Sequence, residues 1–283
     1  MWKKLREKYG RWMRIFLYIT AVLILAFVDG RGINRVAKEW TAVSRLQGQA
    51  APIFSWALDS ETSDAESKQQ ETVQKTAYLT FDDGPSANTD KILDVLKEKG
   101  VKATFFVVGK TGEKAEERYK RIVEEGHTLG LHSYSHDYSE IYSSLENYKA
   151  DIIKLRTHLY NVTGQDVWLY RFPGGSSNSV AKISIQDCIA FLNEEGLTYM
   201  DWNASSEDAV AVNASCSTLN ANILKDAFRF NNTVILMHDL YECCNTVEGL
   251  GTLIDRIQEE GYEIKPITKE TNPVQHVKYK SGE

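Results

Sequence analysis

A chain of 283 residues with 42% hydrophobic and 25% charged residues holds enough apolar material for one large globular domain or two small ones. Its formal net charge of -6 argues against nucleic acid as the main partner, since phosphate-backbone binding needs a basic surface.

In chain order, Lys3, Lys4, Arg6, Lys8, Arg11 and Arg14 crowd ahead of an apolar run from Ile15 to Val28. A basic flank followed by such a run is the pattern of a secretory signal or a membrane anchor. The run is short of the ~20 residues of a full span, and Trp12 and Met13 can extend it at the interface. No small-x-small cleavage site follows, because Leu25-Ala26-Phe27-Val28-Asp29 ends in bulky and acidic residues. An uncleaved anchor over residues 1–29 is therefore favoured over a cleaved signal. The positive-inside rule leaves the N-terminus in the cytoplasm and everything after Val28 outside.

Residues 30–75 read as a linker. Trp40, Leu46, Ile53, Phe54 and Trp56 are scattered apolar points in its first part. From Asp59 to Lys75 the composition turns to Ser, Glu, Asp, Gln, Lys and Thr, which bury too little surface to offset the entropy of ordering.

From Thr76 strands and helices alternate. Ala77–Phe81 predicts a strand, and a helix opened by Asn88 and Thr89 presents Ile92, Leu93, Val95 and Leu96 before Gly100 ends it. A β-rich run over 103–108 follows, then a helix from Glu113 to Glu125 stopped by Gly126, then a short strand toward His132. Leu145, Tyr148, Ile152, Leu155 and Leu159 recur at helical spacing. Further strands are expected at Val167–Arg171, Thr198–Trp202, Thr233–His238 and Tyr262–Ile267, separated by helices at Ile183–Glu195, Thr218–Phe228 and Val247–Glu260. Such alternation argues for parallel strands wrapped by helices, either a β/α barrel or an open doubly wound sheet. No G-x-G-x-x-G follows the first strand, which weakens the dinucleotide-binding version.

Cys188, Cys216, Cys243 and Cys244 fit an oxidising compartment and allow three pairings. A bridge between the neighbours Cys243 and Cys244 would be strained, so one from either of them to Cys216 is the more plausible disulfide. The absence of C-x-x-C argues against a thiolate zinc site.

The unusual polar residues gather at one place in each unit, the C-terminal end of a strand. Asp82 and Asp83 follow the first, His132 and His136 a later one, and Arg171, Asp201-Trp202 and His238-Asp239 close three more. In β/α barrels the loops at that edge build the active site. Each feature alone has a bland reading: a turn, a surface histidine pair, a surface ion pair, a core histidine. Together, two imidazoles and a carboxylate make the open three-ligand set of a catalytic zinc-type site. A second carboxylate beside them supplies a base and a further histidine an acid. His127 and His158 carry no such pattern.

TFDDGP (80–85), HSYSH (132–136), RFPGG (171–175), DW (201–202) and ILMHD (235–239) stand in the order found in the NodB-homology polysaccharide deacetylases, carbohydrate esterase family 4, which the chain resembles from Thr76 to Thr268. The resemblance implies an α/β fold, a distorted (β/α) barrel of 7–8 strands over residues 76–270 with 271–283 as a C-terminal tail. It also implies hydrolysis of acetyl groups on a polysaccharide with a divalent metal, commonly Zn2+, with Co2+, Mn2+ or Ni2+ as other candidates.

Position by position, the resemblance makes Asp83, His132 and His136 the metal ligands, Asp82 the general base and His238 the general acid. Arg171 would hold Asp82, and Asp201 would hydrogen-bond His238 and raise its pKa. Trp202 and Leu236 would wall the acetyl pocket, and the Gly174 N–H would donate to the oxyanion. Gly174 stands where the family usually has an aromatic residue, so a wall of the sugar groove is missing there. Anchor and linker together suggest a bacterial, single-pass membrane protein with its catalytic domain outside and peptidoglycan as substrate. No obligate protein partner is implied. Chitooligosaccharide, acetylxylan, or an inactive carbohydrate-binding domain are the alternatives.

Overall fold

The computed structural model describes residues 74–280; the expected anchor over 1–29 and nearly all of the linker lie outside the described residues. Among the described residues no helix is long and apolar enough to cross a membrane.

Strand β1 (Lys75–Asp82) leads to α1 (Ala87–Glu98), β2 (Thr104–Val108), α2 (Glu113–Glu124) and β3 (Thr128–Ser133). A one-turn helix α3 (Tyr138–Ile141) and the long α4 (Leu145–Thr163) precede β4 (Leu169–Tyr170) and α5 (Ile185–Glu194). Then come β5 (Thr198–Tyr199), β6 (Ala204–Ser205), α6 (Cys216–Ala227), β7 (Asn232–His238), α7 (Cys244–Glu259) and β8 (Tyr262–Ile264). Several helix starts carry side-chain caps: Ser86 and Thr89 form a capping box on α1, and Ser144, Ser184 and Ser215 cap α4, α5 and α6.

All strand pairs are parallel, in the order β5-β4-β3-β2-β1-β7-β6, with β8 also on β1. The two ends of that order, β5 and β6, are consecutive in the chain. The Thr198 and Met200 N–H groups donate to the Trp168 and Tyr170 carbonyls, both at 2.9 Å. Those of Asn203 and Ser206 then donate to Val234 and Leu236, both at 3.0 Å. One extended passage therefore touches β4 with its first half and β7 with its second, and the parallel sheet curls into a half-barrel. A further distortion lies at β1, which meets β8 along Lys75–Ala77 and β2 along Thr80–Asp82.

Strand alternation sorts the two faces. Ala77, Leu79 and Phe81 of β1 pack outward in the main core with Leu93, Leu96, Leu250 and Ile254 of the helices. Tyr78 points inward, where Phe106, Leu169, Met200, Val234 and Ile267 form a smaller cluster. Thr80 and Asp82 follow Tyr78 on the inner face, so β1 delivers a carboxylate to the C-terminal mouth of the curl.

The Val167–Arg171 strand shortens to Leu169–Tyr170, α7 begins earlier than expected, at Cys244, and β6 was not foreseen. The expected disulfide is absent: all four cysteines are free thiols. Cys216, the first residue of α6, abuts Gly249 well inside α7, and its thiol faces Glu248, so it meets α7 past Cys243 and Cys244. The C-terminal tail packs back on the domain: the Asp201 N–H donates to Val274 O (2.7 Å) and the Val277 N–H to Ser176 Oγ (3.0 Å). His127 is a core residue whose Nδ1 accepts from the Ala103 N–H at 3.1 Å, and burial pushes its pKa down to about 4.

Gly130 on β3 faces the inner cluster, where an added Cβ would lie 2.7 Å from Cδ1 of Phe106. Gly130→Ala should therefore displace that ring and cost ~1–3 kcal/mol by overpacking, read as a lower denaturant midpoint at unchanged m-value.

Candidate active site

Adjacent residues of a strand point to opposite faces, so Asp82 and Asp83 should diverge. They do not, because β1 ends at Asp82 and Asp83 takes a left-handed conformation, φ 73°, which Asp tolerates better than most residues. The turn swings the second carboxylate round to the first. Backbone bonds hold the bend on both sides: Asp83 N–H donates to Phe106 O (3.1 Å), and Asp239 N–H donates to Asp82 O (2.8 Å). Buried Asp239 braces the following turn, accepting from the hydroxyls of Ser86 (2.6 Å) and Thr89 (2.5 Å).

The two imidazoles arrive from β3. The pairing of β2 with β3 slips at Val107/Val108, where Leu131 and Ser133 face successive residues and His132 is the extra one. Such bulges re-aim a side chain. Four residues on, His136 also has a positive φ, 54°. Asp151 of α4 pins the loop between them, accepting from Ser133 Oγ (2.8 Å) and from the N–H groups of Tyr134 (2.7 Å) and Ser135 (2.9 Å).

Ligand atoms of Asp83, His132 and His136 consequently lie within 4.8 Å of one another. Oδ1 of Asp83 is 3.0 Å from His136 Nε2 and 3.4 Å from His132 Nε2. Nδ1 of His132 donates to Arg171 O at 2.8 Å, which in a neutral ring leaves only a lone pair on Nε2. That lone pair faces Asp83 Oδ1, a buried oxygen with no hydrogen-bond donor among the described residues. Converging lone pairs of this kind call for a cation at their centre, and the donor set, two imidazoles and one carboxylate, suits a zinc-type ion with open positions.

Arg171 occupies the floor. Its side chain is wholly buried, and every arm of the guanidinium is used. Nε donates to Met200 O (2.8 Å), one terminal nitrogen to Thr80 Oγ1 (2.7 Å) and Asp82 Oδ1 (2.8 Å), and the other to Asp201 O (2.9 Å). Its guanidinium carbon lies 4.1 Å from the Phe106 ring centroid and 5.7 Å from that of Trp202. Asp82 thus keeps Oδ1 on Arg171, while Oδ2 faces the site, 3.9 Å from His132 Nε2.

The partner of His238 is not the one expected. His238 Nδ1 bonds Asp208 Oδ1 at 2.7 Å, and Asp208 Oδ2 accepts from the His238 N–H (2.9 Å) and Thr246 Oγ1 (2.7 Å). Asp201 instead accepts from Ser176 N–H, Ser176 Oγ and the His276 N–H, joining the 171–176 loop to the tail. Its carboxylate is committed there, so its assignment as the His238 partner is corrected to Asp208. Burial alone would lower the His238 pKa; Asp208, with help from Asp82 and Asp83, overrides it and raises the value to about 9. Asp208 had no strand-end signal, because only the two-residue β6 precedes it.

Leu236 is buried on β7, two residues before His238 on the same side of the strand. Trp202 packs edge-on against His276, and an added Cβ on Gly175 would strike its ring. Gly174 has φ 76°, and among the described residues no backbone bond uses its N–H, whereas the Gly175 N–H goes to Phe172 O at 2.8 Å. Tyr138, which sequence reasoning passed over, stands its ring edge-on to His136, centroids 5.4 Å apart.

Asp208→Asn would remove the charge that keeps His238 protonated. A histidine NMR titration should then show the His238 pKa fall from about 9 by on the order of two units, to near neutrality. The alkaline limb of any reaction that needs the protonated ring should move down with it.

The polysaccharide deacetylase family model matches residues 69–188. Over 260 residues the chain is 35% identical to the Bacillus subtilis (strain 168) protein YheN, itself described only provisionally as a polysaccharide deacetylase, with 89% of each chain covered. It is 30% identical to a peptidoglycan-N-acetylglucosamine deacetylase of Bacillus cereus, covering 70% of this chain and 71% of that one. Among solved structures, the catalytic domain of a peptidoglycan N-acetylglucosamine deacetylase from Eubacterium rectale superposes with a TM-score of 0.68 at 35% identity, over 72% of this chain and 93% of that one. With the curled parallel fold and the five motifs gathered at one mouth, these likenesses show that the chain belongs to the NodB-homology polysaccharide deacetylases, carbohydrate esterase family 4.

Proposed function

We propose that this deacetylase removes N-acetyl groups from the amino sugars of peptidoglycan, working outside the cell on a domain tethered to the membrane by residues 1–29. Two features support the polymer: relatives of this chain act on peptidoglycan N-acetylglucosamine, and the basic-then-apolar N-terminus would keep the domain within reach of the wall. The observation that carries the chemistry is the placement of Asp82 and His238 at the same mouth as the Asp83, His132 and His136 cluster.

Asp83, His132 and His136 would hold a divalent ion, most simply zinc, which when bound polarises an acyl oxygen and acidifies water. Asp82 is placed to take the proton from the attacking water. Its Oδ1 is locked on Arg171, so Oδ2 faces the reaction without freedom to turn away. The Gly174 N–H is offered to the carbonyl oxygen as that atom gains charge, a contact of the kind worth ~3 kcal/mol. His238, protonated below about 9, gives its proton to the nitrogen of the breaking C–N bond. Asp208 fixes which ring nitrogen is turned away from the substrate, since it holds Nδ1 and leaves Nε2–H for the leaving group. The products are acetate and a free amine on the glycan.

The assay is acetate release from peptidoglycan, chitooligosaccharides and acetylxylan by the full-length, zinc-loaded chain. Peptidoglycan should be preferred, and Asp82→Asn should lower the rate by on the order of 100- to 10,000-fold. Preference for acetylxylan would overturn the substrate, and full activity in Asp82→Asn would overturn the base.

A further inference from the structure

Tyr138 lies outside the five motifs, yet it stands at the rim of the catalytic cluster. It is the first residue of α3, whose start is fixed by Asp137: Oδ1 accepts from the N–H of Ser139 (2.9 Å) and from Ser139 Oγ (2.6 Å). The ring is half-buried and packs edge-on to His136, with Tyr142 on a further side at 6.0 Å between centroids. Tyr142 Oη donates to Pro173 O at 2.9 Å, so α3 and the 171–175 loop are fastened together.

That fastening brings the Tyr138 ring against Gly174. A Cβ on residue 174 would lie 3.3 Å from Cε1 of Tyr138 and 3.2 Å from Cβ of Asn178, and φ 76° further disfavours any side chain there. The space a side chain of residue 174 would take is therefore already held by an aromatic ring from a different element.

We propose that Tyr138 is the substrate-binding wall of this site, the face on which the pyranose ring of an N-acetylated amino sugar packs while its acetamide reaches the Asp83, His132 and His136 cluster. The geometry restricts the choice. The sugar ring is joined to the acetamide by one bond, so it rests against a border of the cluster, and the border beside His136 and Gly174 is the one that carries this ring. Gly174 offers only backbone, and Tyr138 offers a ring held by Tyr142 and His136. A rigid, half-exposed aromatic presents apolar surface at little entropic cost, and its hydroxyl can meet the hydroxyls of a sugar.

This inference rests on the proposed deacetylation only for the class of ligand, and binding can be measured without turnover. The probe is the tetramer of β-1,4-linked N-acetylglucosamine, titrated calorimetrically into the full-length, zinc-loaded chain. Tyr138→Leu should weaken binding about tenfold, roughly the loss expected when one stacking contact is removed. Tyr138→Phe should stay within about threefold of wild type, since it keeps the ring. Zinc stoichiometry and thermal midpoint should be unchanged in both, which separates a lost wall from a damaged fold. In the acetate assay, the Tyr138→Leu defect should fall on KM and leave kcat nearly intact. Equal affinity of wild type and Tyr138→Leu for the tetramer would overturn the inference. Weaker binding by Tyr138→Leu in a protein that releases no acetate would instead uphold the wall and sink the reaction.

Discussion

One buried cation organises this molecule. Arg171 sits inside the curl of the sheet, where an unpaired guanidinium would cost several kcal/mol. Its position is tolerable because each arm has a partner: Met200 O, Asp201 O, Thr80 Oγ1 and Asp82 Oδ1, with the Phe106 ring beneath. These partners come from β1, from β2 and from the passage after β5, so a single side chain ties the strands that the curl must bring together. The same side chain also sets the reactive geometry. It fixes one oxygen of Asp82, and its carbonyl fixes the tautomer of His132. Stability and chemistry therefore share a contact, and breaking it would be felt in both.

From that centre the two neighbouring carboxylates take different electrostatic environments. Asp82 belongs to the strand and is neutralised by Arg171. Asp83 belongs to the turn and faces only imidazoles, with a buried oxygen lacking a donor. Pairs of groups whose surroundings differ this sharply are how one site keeps distinct roles for chemically identical side chains. Across the mouth, the His238 and Asp208 pair follows the same logic with opposite sign, a buried imidazole held protonated by an adjacent carboxylate.

Much of this was legible in the chain. Alternation of apolar runs gave the parallel sheet, and the polar residues at strand ends gave Asp82, Asp83, His132, His136, Arg171 and His238, because in such folds those ends converge. The parts that escaped depend on long-range geometry. Asp201 and Asp208 both follow β5, and only the passage of residues 198–206 from β4 to β7 decides which carboxylate reaches His238. Asp151 acts from the middle of a helix, where its spacing looks like any solvated residue. Tyr138 matters because of what it touches at Gly174, a residue far along the chain. The disulfide expectation failed for a related reason: the contact of α6 with α7 is set by Gly249, which cysteine counting does not see.

TFDDGP divides its labour, Asp83 for the ion and Asp82 for the proton. Calorimetric titration of zinc into the metal-free full-length chain and its Asp82→Asn and Asp83→Asn variants tests it directly. About one high-affinity ion per chain is expected in wild type and Asp82→Asn, and loss of that binding in Asp83→Asn, in keeping with a three-ligand site. Tight binding retained in Asp83→Asn, or lost in Asp82→Asn alone, would contradict it.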